Sequence, residues 1–260
     1  MGSAETVLVN QPIAADLGPP PPLDLTGQAL FLDLDGTLAP IVSRPEAVGP
    51  EPGRTALLDH LAARLDGALA VVSGRGLDDL DRIFEGRVSA VAAVHGLVRR
   101  TAQGQVIADP PGPGMAQASR ELQAFAAKQP GVQIEDKRYA IAVHFRHAPD
   151  AEGPLTQLTR RLAESLGLEL QPGFKVIDLR LPGPDKGAAL RAFCAEPPFA
   201  RRRPVFVGDD LTDEAGFEAA RELGGFGVVV GNRRPTGAGF ALADVPAALA
   251  WLSSAVESGA

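Results

Sequence analysis

Short apolar runs alternate with helical patterns through the first part of the chain. An apolar run at 28–34 is followed by leucines at helical spacing over 53–65, and a run at 68–72 is followed by a short helical pattern. A third run at 88–94 completes the series. Because these runs are continuously apolar rather than alternating, they are typical of parallel strands buried on both faces. The pattern therefore predicts an α/β core.

The pattern changes between residues 97 and 179, where short strands are mixed with helices. Hairpins and helices mixed in this way are typical of an antiparallel α+β unit. Only Lys137 and Arg138 separate two of the strands, so these two are expected to form a hairpin. The predicted elements are a hairpin at 97–108, a helix at 115–128, strands at 132–136 and 139–146, a helix at 152–166, and strands near 168–171 and 174–179.

From residue 181 onward the first pattern returns. Its predicted elements are a helix at 186–195, a strand at 204–207, a helix ending near 223, a strand at 227–230 and a last helix at 245–255. We therefore expect a discontinuous, Rossmann-like core with a parallel sheet, formed by 25–108 and 180–256, and an inserted α+β cap domain at 109–179. Residues 1–24 carry a proline run and no periodicity, and are expected to form a flexible leader.

Composition and charge narrow the class of partner. The chain has 260 residues and a formal net charge of −7, which argues against nucleic acid or an anionic membrane surface as the main partner. No apolar run approaches the ~20 residues of a transmembrane helix. No secretory signal is evident either, so we expect a cytoplasmic protein, and a monomer. An anionic small molecule stays compatible with the charge, since a few lysines or a metal ion can make a site locally positive.

Polar side chains collect where the predicted parallel strands end. In an open parallel sheet, ligands bind at these carboxyl ends. Asp33 and Asp35 follow the first strand, and side chains two residues apart in a strand point the same way. Two carboxylates held close repel each other unless a cation or a shared proton lies between them. The other residues at such positions are Ser73, Gly74, Arg75, His95, Asp209, Asp210 and Asp213, while Lys186 begins a helix.

The residue types in this group suit Mg²⁺-dependent phosphoryl transfer. Asp33 and Asp209 offer hard oxygen ligands for Mg²⁺, and the backbone carbonyl of Asp35 can add another. Ser73 and Lys186 supply a hydroxyl and a positive charge for phosphoryl oxygens. We predict that Asp33 is the nucleophile and that Asp35 is the general acid and then the general base. The residues predicted to bind the phosphoryl group are Gly36, Thr37, Ser73, Gly74 and Lys186.

Purely structural roles stay open for each of these residues. The alternatives are turn or cap positions for Asp33 and Asp35, a helix cap for Ser73, a backbone contact for His95 and a surface position for Lys186. Asp213 is expected to cap the helix that follows it. Together with Asp210 it is also predicted to support the site from behind, by holding Lys186 or a metal-bound water.

The motifs resemble those of the haloacid-dehalogenase superfamily of aspartate-based phosphatases. Residues 33–37 are similar to its first motif, Ser73 to its second, Lys186 to its third and residues 208–213 to its fourth. The resemblance implies a catalytic core of this type, with the cap setting substrate specificity and Mg²⁺ as the cofactor. It also implies a reaction in two steps, in which Asp33 forms an aspartyl-phosphate that water then hydrolyses.

A narrower resemblance, to the trehalose-6-phosphate phosphatase family, covers about residues 26–255. It rests on Ser73-Gly74-Arg75, His95-Gly96, Glu135-Asp136-Lys137, His144-Phe145-Arg146 and Asp209-Asp210-Leu211-Thr212-Asp213-Glu214. It implies a small-molecule sugar phosphate as partner and hydrolysis of trehalose 6-phosphate, the last step of trehalose biosynthesis. The residues it implies for binding the sugar are Arg75, His95, Glu135, Lys137, His144 and Arg146.

Two rival functions and one departure from the family pattern stay open. A phosphatase of the same fold could act on another sugar phosphate, such as a sucrose, mannosylglycerate or glucosylglycerol phosphate. A phosphate-sensing regulatory module would also place Asp, Ser and Lys at strand ends. Where the family pattern has a glutamate before an arginine, this chain has Asp178, whose shorter side chain leaves its contact with the sugar undecided.

Overall fold

Two sheets flanked by helices make up the structure, a computed structural model that describes residues 17–42, 44–173 and 175–257. The strands are β1 (Gln28–Leu32), β2 (Leu69–Val72), β3 (Ala90–Ala93), β4 (Val98–Arg100), β5 (Val106–Ile107), β6 (Gln133–Asp136), β7 (Ala140–His144), β8 (Glu169–Gly173), β9 (Val176–Arg180), β10 (Arg203–Gly208), β11 (Phe226–Val230) and β12 (Phe240–Leu242). The α-helices are α1 (Pro52–Arg64), α2 (Leu77–Phe84), α3 (Pro113–Ala126), α4 (Glu152–Leu166), α5 (Lys186–Cys194), α6 (Glu214–Glu222) and α7 (Val245–Glu257).

The larger sheet has eight strands in the order β12-β11-β10-β1-β2-β3-β4-β5. The first six strands in this order, from β12 across to β3, run parallel to one another. Beyond β3, β4 and β5 extend the sheet as antiparallel strands. Strands β1, β2 and β3 are buried along their whole length, as expected when helices cover both faces of a parallel sheet. The continuous apolar runs thus have the predicted cause, and the predicted α/β fold class is confirmed.

The smaller sheet has four antiparallel strands in the order β6-β7-β9-β8. Its side chains pack with those of α3 and α4 in an apolar cluster separate from that of the larger sheet. The predicted hairpin joins β6 to β7, and its turn includes Tyr139 as well as Lys137 and Arg138. We propose that residues 109–179 are the inserted cap, and the separate apolar cluster supports this division.

Two strands of the larger sheet differ from the prediction. The strand predicted at 88–94 is shorter, because the chain turns at Val94–Gly96. The hairpin predicted at 97–108, within the predicted core, is present, and β4 pairs with β3 at the edge of the larger sheet. Strand β12 was not predicted, since three residues are too few to show a periodic pattern.

Part of the predicted flexible leader contacts the core. Residues 1–16 lie outside the described residues. In the described part, the indole nitrogen of Trp251 donates to the Pro21 carbonyl at 3.0 Å, and the amide of Ala241 donates to the Gly18 carbonyl at 3.0 Å. Leu17 and Leu23 pack against the main apolar cluster, which gives this segment a reason to dock. In the described ranges, no helix has both the length and the hydropathy needed to cross a membrane.

Candidate active site

The carboxyl ends of the central strands and residues of the smaller sheet line an open cavity of ≈ 390 Å³. Strand β1 lies between β2 and β10, so the residues that follow these three strands come together by topology alone. The predicted site residues that line the cavity are Asp33, Asp35, Ser73, Gly74, Arg75, His95, Glu135, Lys137, His144, Arg146, Lys186, Asp209 and Asp210.

A buried lysine joins two buried carboxylates at the base of the cavity. Lys186 Nζ donates to Asp33 Oδ1 at 2.8 Å and to Asp213 Oδ1 at 2.7 Å. Burial by itself disfavours the lysine charge, but Asp213 and Asp33 outweigh it and raise the pKa of Lys186 above its ordinary value. Lys186 is therefore a charged group held at the site, and not a surface residue.

Asp33 is a buried carboxylate, and Asp209 is a half-buried carboxylate close to it. The Asp33 amide donates to the Val207 carbonyl at 2.9 Å and so continues the ladder between β1 and β10. Burial raises the pKa of Asp33 well above its ordinary value, against the opposing effect of Lys186. Burial and the Asp213 charge raise the pKa of Asp209 to about 7. A bound cation would relieve this mutual repulsion.

The donor set at this point fits a hard divalent cation. Carboxylate oxygens of Asp33, Asp209 and Asp213 lie within 4.8 Å of one another, and Asp209 Oδ1 is buried without a hydrogen-bond partner among the described residues. Asp213 is already engaged, because its Oδ2 accepts from the amides of Asp209 at 3.0 Å and Asp210 at 2.9 Å while its Oδ1 accepts from Lys186. Asp33 and Asp209 are thus the side chains best able to hold Mg²⁺.

The turn after β1 shapes the place where Asp209 lies. Gly36 has a φ of 81°, and the Asp209 carboxylate lies so close that a β-carbon on Gly36 would collide with it. The Gly36 amide donates to the Ala39 carbonyl at 2.7 Å, and Thr37 is fully buried. Within the described ranges, neither Gly36 nor Thr37 lines the cavity. Their predicted binding of phosphate therefore has no direct geometric support here.

Ser73 and Gly74 form a loop that is tied to the turn after β3. The His95 amide donates to the Ser73 carbonyl at 2.9 Å, and the Val94 amide donates to the Arg75 carbonyl at 2.8 Å. Val94 and His95 have φ values of 48° and 58°, which non-glycine residues rarely adopt. This turn brings the His95 ring so close to Gly74 that a β-carbon there would collide with it. Backbone strain of this kind is typical of functional sites.

Arg75 contacts protein carboxylates in the structure. Its guanidinium forms a two-pronged pair with Asp35, from Nε to Oδ2 at 2.7 Å and from Nη2 to Oδ1 at 2.7 Å. Its Nη1 donates to Asp79 Oδ2 at 2.6 Å and to the Pro45 carbonyl at 2.9 Å. Arg75 lines the cavity as predicted, but its donors are directed at Asp35 and Asp79.

Charged side chains of the smaller sheet face the strand ends. Glu135 pairs with Ala142, and Ala142 with Asp178, so both carboxylates lie on one face with the small Ala142 between them. Lys137 Nζ lies 3.5 Å from Asp178 Oδ2 and 3.9 Å from Glu135 Oε2. His144 Nε2 lies 3.1 Å from Glu135 Oε2. The predicted sugar-binding residues of the hairpin therefore form one cluster instead of scattered surface groups.

Electrostatic coupling favours the charged forms of Asp178, Lys137 and Glu135. Burial disfavours each charge, yet Lys137 and His95 lower the pKa of Asp178 below its ordinary value. At Lys137, the nearby carboxylates of Asp178 and Glu135 outweigh burial and raise the pKa. At Glu135, His144 and Lys137 outweigh burial and lower the pKa. At His95 burial prevails and lowers the pKa.

Two residues near the site were not predicted from the sequence. The Gln171 amide nitrogen lies 3.3 Å from both ring nitrogens of His95, and Gln171 lines the cavity. Gln171 pairs with Asp178 across β8 and β9, so only the register shows that it faces the site. Asp79 contacts Arg75, and the spacing of four residues between them was the one available signal. Asp210 takes part in a capping box with Asp213. Asp213 occupies the cap position of α6, but its side chain makes no capping hydrogen bond to that helix, so the predicted side-chain cap is wrong.

The fold is of the haloacid-dehalogenase type. A solved phosphatase of the haloalkanoate (HAD) superfamily from Bacteroides thetaiotaomicron has the same fold, with a TM-score of 0.56 at 20% identity over 91% of this chain and 97% of that one. A solved trehalose-6-phosphate phosphatase related protein matches with a TM-score of 0.78 at 28% identity, covering 89% of this chain and 98% of that one. The chain belongs to the trehalose-phosphatase family, whose sequence model matches residues 31–246.

Curated relatives extend the similarity over most of the chain. A probable trehalose-phosphate phosphatase of Sinorhizobium fredii is 42% identical over 227 residues, which is 86% of this chain and 85% of the relative. The trehalose-6-phosphate phosphatase of Escherichia coli is 40% identical over 226 residues, again 86% of this chain and 85% of the relative. The similarity therefore includes both the core and the segment that carries the smaller sheet.

Proposed function

We propose that this protein is a Mg²⁺-dependent phosphatase that hydrolyses trehalose 6-phosphate to trehalose and phosphate. The observation that carries the proposal is the buried pair of Lys186 and Asp33, which lies beside Asp209 and opposite the charged cluster of Glu135 and Lys137. The first group suits a phosphoryl centre, because it combines a nucleophile with charges that can stabilise the transferring group. The second suits a neutral sugar, whose hydroxyls can donate hydrogen bonds to carboxylates and accept them from ammonium groups.

The reaction divides between Asp33 and Asp35. Asp33 attacks phosphorus, the bond from phosphorus to the sugar oxygen breaks, and Asp35 donates a proton to that oxygen. Water then attacks the aspartyl-phosphate and gives its proton to Asp35, which releases phosphate and regenerates Asp33. Lys186 neutralises phosphoryl charge while it keeps Asp33 in place. Mg²⁺ held by Asp33, Asp209 and the backbone carbonyl of Asp35 supplies further charge neutralisation when it is bound.

Sugar recognition is assigned to the cluster of the smaller sheet. Asp178 is buried and its Oδ1 has no hydrogen-bond partner among the described residues, so a sugar hydroxyl could satisfy it. Lys137 lies between Asp178 and Glu135, and its ammonium group can donate hydrogen bonds to sugar hydroxyls. His95, His144 and Arg146 line the same cavity. This arrangement supports a disaccharide monophosphate as substrate.

A phosphate-release panel tests the proposal. The purified protein is assayed with Mg²⁺ on trehalose 6-phosphate, sucrose 6-phosphate, glucose 6-phosphate, mannosylglycerate phosphate and glucosylglycerol phosphate. We expect kcat/KM for trehalose 6-phosphate to exceed the others by about a hundred-fold or more, because the unmatched sugars leave buried charged groups unpaired. A faster reaction with another sugar phosphate would reassign the substrate. Absence of hydrolysis across the whole panel would reject the enzymatic function.

A further inference from the structure

A chain of alternating charges leads from the cavity to the outer face of α2. It begins with Asp35 and Arg75, whose side chains are 36% and 7% exposed, and continues through Asp79, which is 27% exposed. Asp79 Oδ1 accepts from Arg82, from Nη2 at 2.6 Å and from Nε at 3.1 Å. Arg82 Nη2 also donates to the Val48 carbonyl at 2.8 Å. The chain is therefore anchored at its outer end as well as at the site.

The hydrogen bonds of Arg75 leave it little freedom. Four of its five N–H groups donate to Asp35, Asp79 and the Pro45 carbonyl, in the two-edged geometry of a planar guanidinium. One edge of the guanidinium, Nε and Nη2, donates to Asp35. The remaining nitrogen, Nη1, donates to Asp79 and to the Pro45 carbonyl. To turn toward a sugar hydroxyl, Arg75 would have to release a buried charge pair, which is unfavourable. Arg75 therefore acts on Asp35.

Asp79 has a defined place in this arrangement. It lies in the first turn of α2, one helical turn beyond Arg75, and each of its carboxylate oxygens accepts from a different arginine. Because the guanidinium is planar and rigid, fixing Nη1 on one edge also fixes the direction of the Nε and Nη2 edge. The orientation of Asp35 thus depends on a residue that lines a neighbouring pocket and not the catalytic cavity.

We propose that Asp79 is a positioning residue of the phosphatase, and that it acts through Arg75 to hold Asp35 in the orientation needed for proton transfer. This inference rests on the proposed function only in that Asp35 moves the proton. It does not depend on which sugar is the substrate. It also assigns Arg75 to the support of Asp35, in place of the sugar contact that the family resemblance implies.

The first test compares Asp79→Asn with Asp78→Asn. Asp78 is the matched control, because it is the neighbouring aspartate of the same helical turn and is exposed. With trehalose 6-phosphate and Mg²⁺, we expect Asp79→Asn to lower kcat about ten-fold and to change KM by less than about two-fold. The loss is smaller than a whole acid–base contribution, because Asp35 is misoriented but still present. The control should keep both values. A rise in KM at unchanged kcat would instead assign Arg75 to the sugar, and equal kinetics in the two variants would reject the proposal.

A second measurement separates positioning from general damage to the site. p-Nitrophenyl phosphate has a good leaving group, so its first step needs little proton donation, whereas hydrolysis of the aspartyl-phosphate still needs a base. In rapid-mixing experiments we expect Asp79→Asn to release a burst of p-nitrophenol close to one per active site, larger than the burst of the parent protein. A slow reaction without a burst would indicate damage to Asp33 or the metal site and would overturn the proposal.

Further variants keep the test decisive. Asp79→Glu retains the carboxylate and should recover part of the kcat that Asp79→Asn loses, whereas Asp79→Ala should not. Thermal unfolding of each variant shows whether it is folded at the assay temperature. If the parent protein hydrolyses p-nitrophenyl phosphate and all the variants match it, the positioning role alone fails. If the parent hydrolyses no phosphomonoester, the proposed function itself fails.

Discussion

At the scale of single residues, Asp33 and Asp35 are separated by their partners. Asp33 is buried against Lys186 and faces Asp209, whereas Asp35 is more exposed and is paired with Arg75. The sequence predicts two converging carboxylates and a lysine for the phosphoryl group. It does not show that Lys186 contacts Asp33, because 153 residues separate them along the chain. The different partners fit the different roles proposed for the two aspartates.

Replacing the nucleophile gives the sharpest prediction at this scale. We expect Asp33→Asn to lower phosphate release by more than about a thousand-fold, because a neutral amide cannot form the aspartyl-phosphate. The measurement is a phosphate-release assay at saturating substrate. Asp150→Asn, an exposed change in the smaller unit, is the control and should keep full activity. Retained turnover in Asp33→Asn would contradict the assignment of the nucleophile.

At the scale of elements, turns and register decide which side chains reach the cavity. The turn at Val94–Gly96 aims His95 at Gly74, and Gly96 has a φ of 109° with the Asp185 carbonyl close to where a β-carbon would be. Only glycine lets the start of α5, with Lys186, approach this turn so closely. In the smaller sheet, the register of β6, β7 and β9 places Glu135 and Asp178 on the same face, on either side of Ala142. The close approach of α5 to the turn and the register of the smaller sheet both depend on how two elements pack together.

The hairpin of β6 and β7 gives a prediction about substrate choice. We expect Glu135→Ala to lower kcat/KM for trehalose 6-phosphate by about ten-fold to a hundred-fold, because one charged hydrogen bond to the sugar is lost. With p-nitrophenyl phosphate, which has no sugar, the loss should stay below about three-fold. Glu164→Ala, on the exposed side of α4, serves as the control. An equal loss on both substrates would count against a specificity role for Glu135.

At the scale of the whole molecule, the site joins two units with separate apolar clusters. The turns after strands of the larger sheet supply the carboxylates, the start of α5 supplies Lys186, and the smaller sheet supplies the charged cluster. Asp33, Asp209 and Asp213 carry three carboxylates around one lysine, so the site as a whole is short of positive charge. A divalent cation would correct this imbalance, which is the physical basis for the proposed dependence on Mg²⁺.

Metal removal tests this balance of charge. We expect EDTA to abolish phosphate release and added Mg²⁺ to restore it. Because a ligand that binds only the folded state stabilises it, Mg²⁺ should also raise the unfolding temperature of the parent protein. Asp209→Asn should weaken both effects, since it removes a ligand charge. Full turnover in the presence of EDTA would contradict the metal dependence.

The sequence by itself determined the fold class and the chemistry. Continuous apolar runs predicted buried parallel strands, and the residues after them, Asp33, Ser73 and Asp209, meet because parallel strands end at one edge of the sheet. Only the tertiary structure decided which residues contact one another. The pair of Arg75 and Asp35 and the approach of Gln171 to His95 depend on contacts between elements distant in the chain. Such contacts follow from packing and register, and local sequence patterns do not encode them.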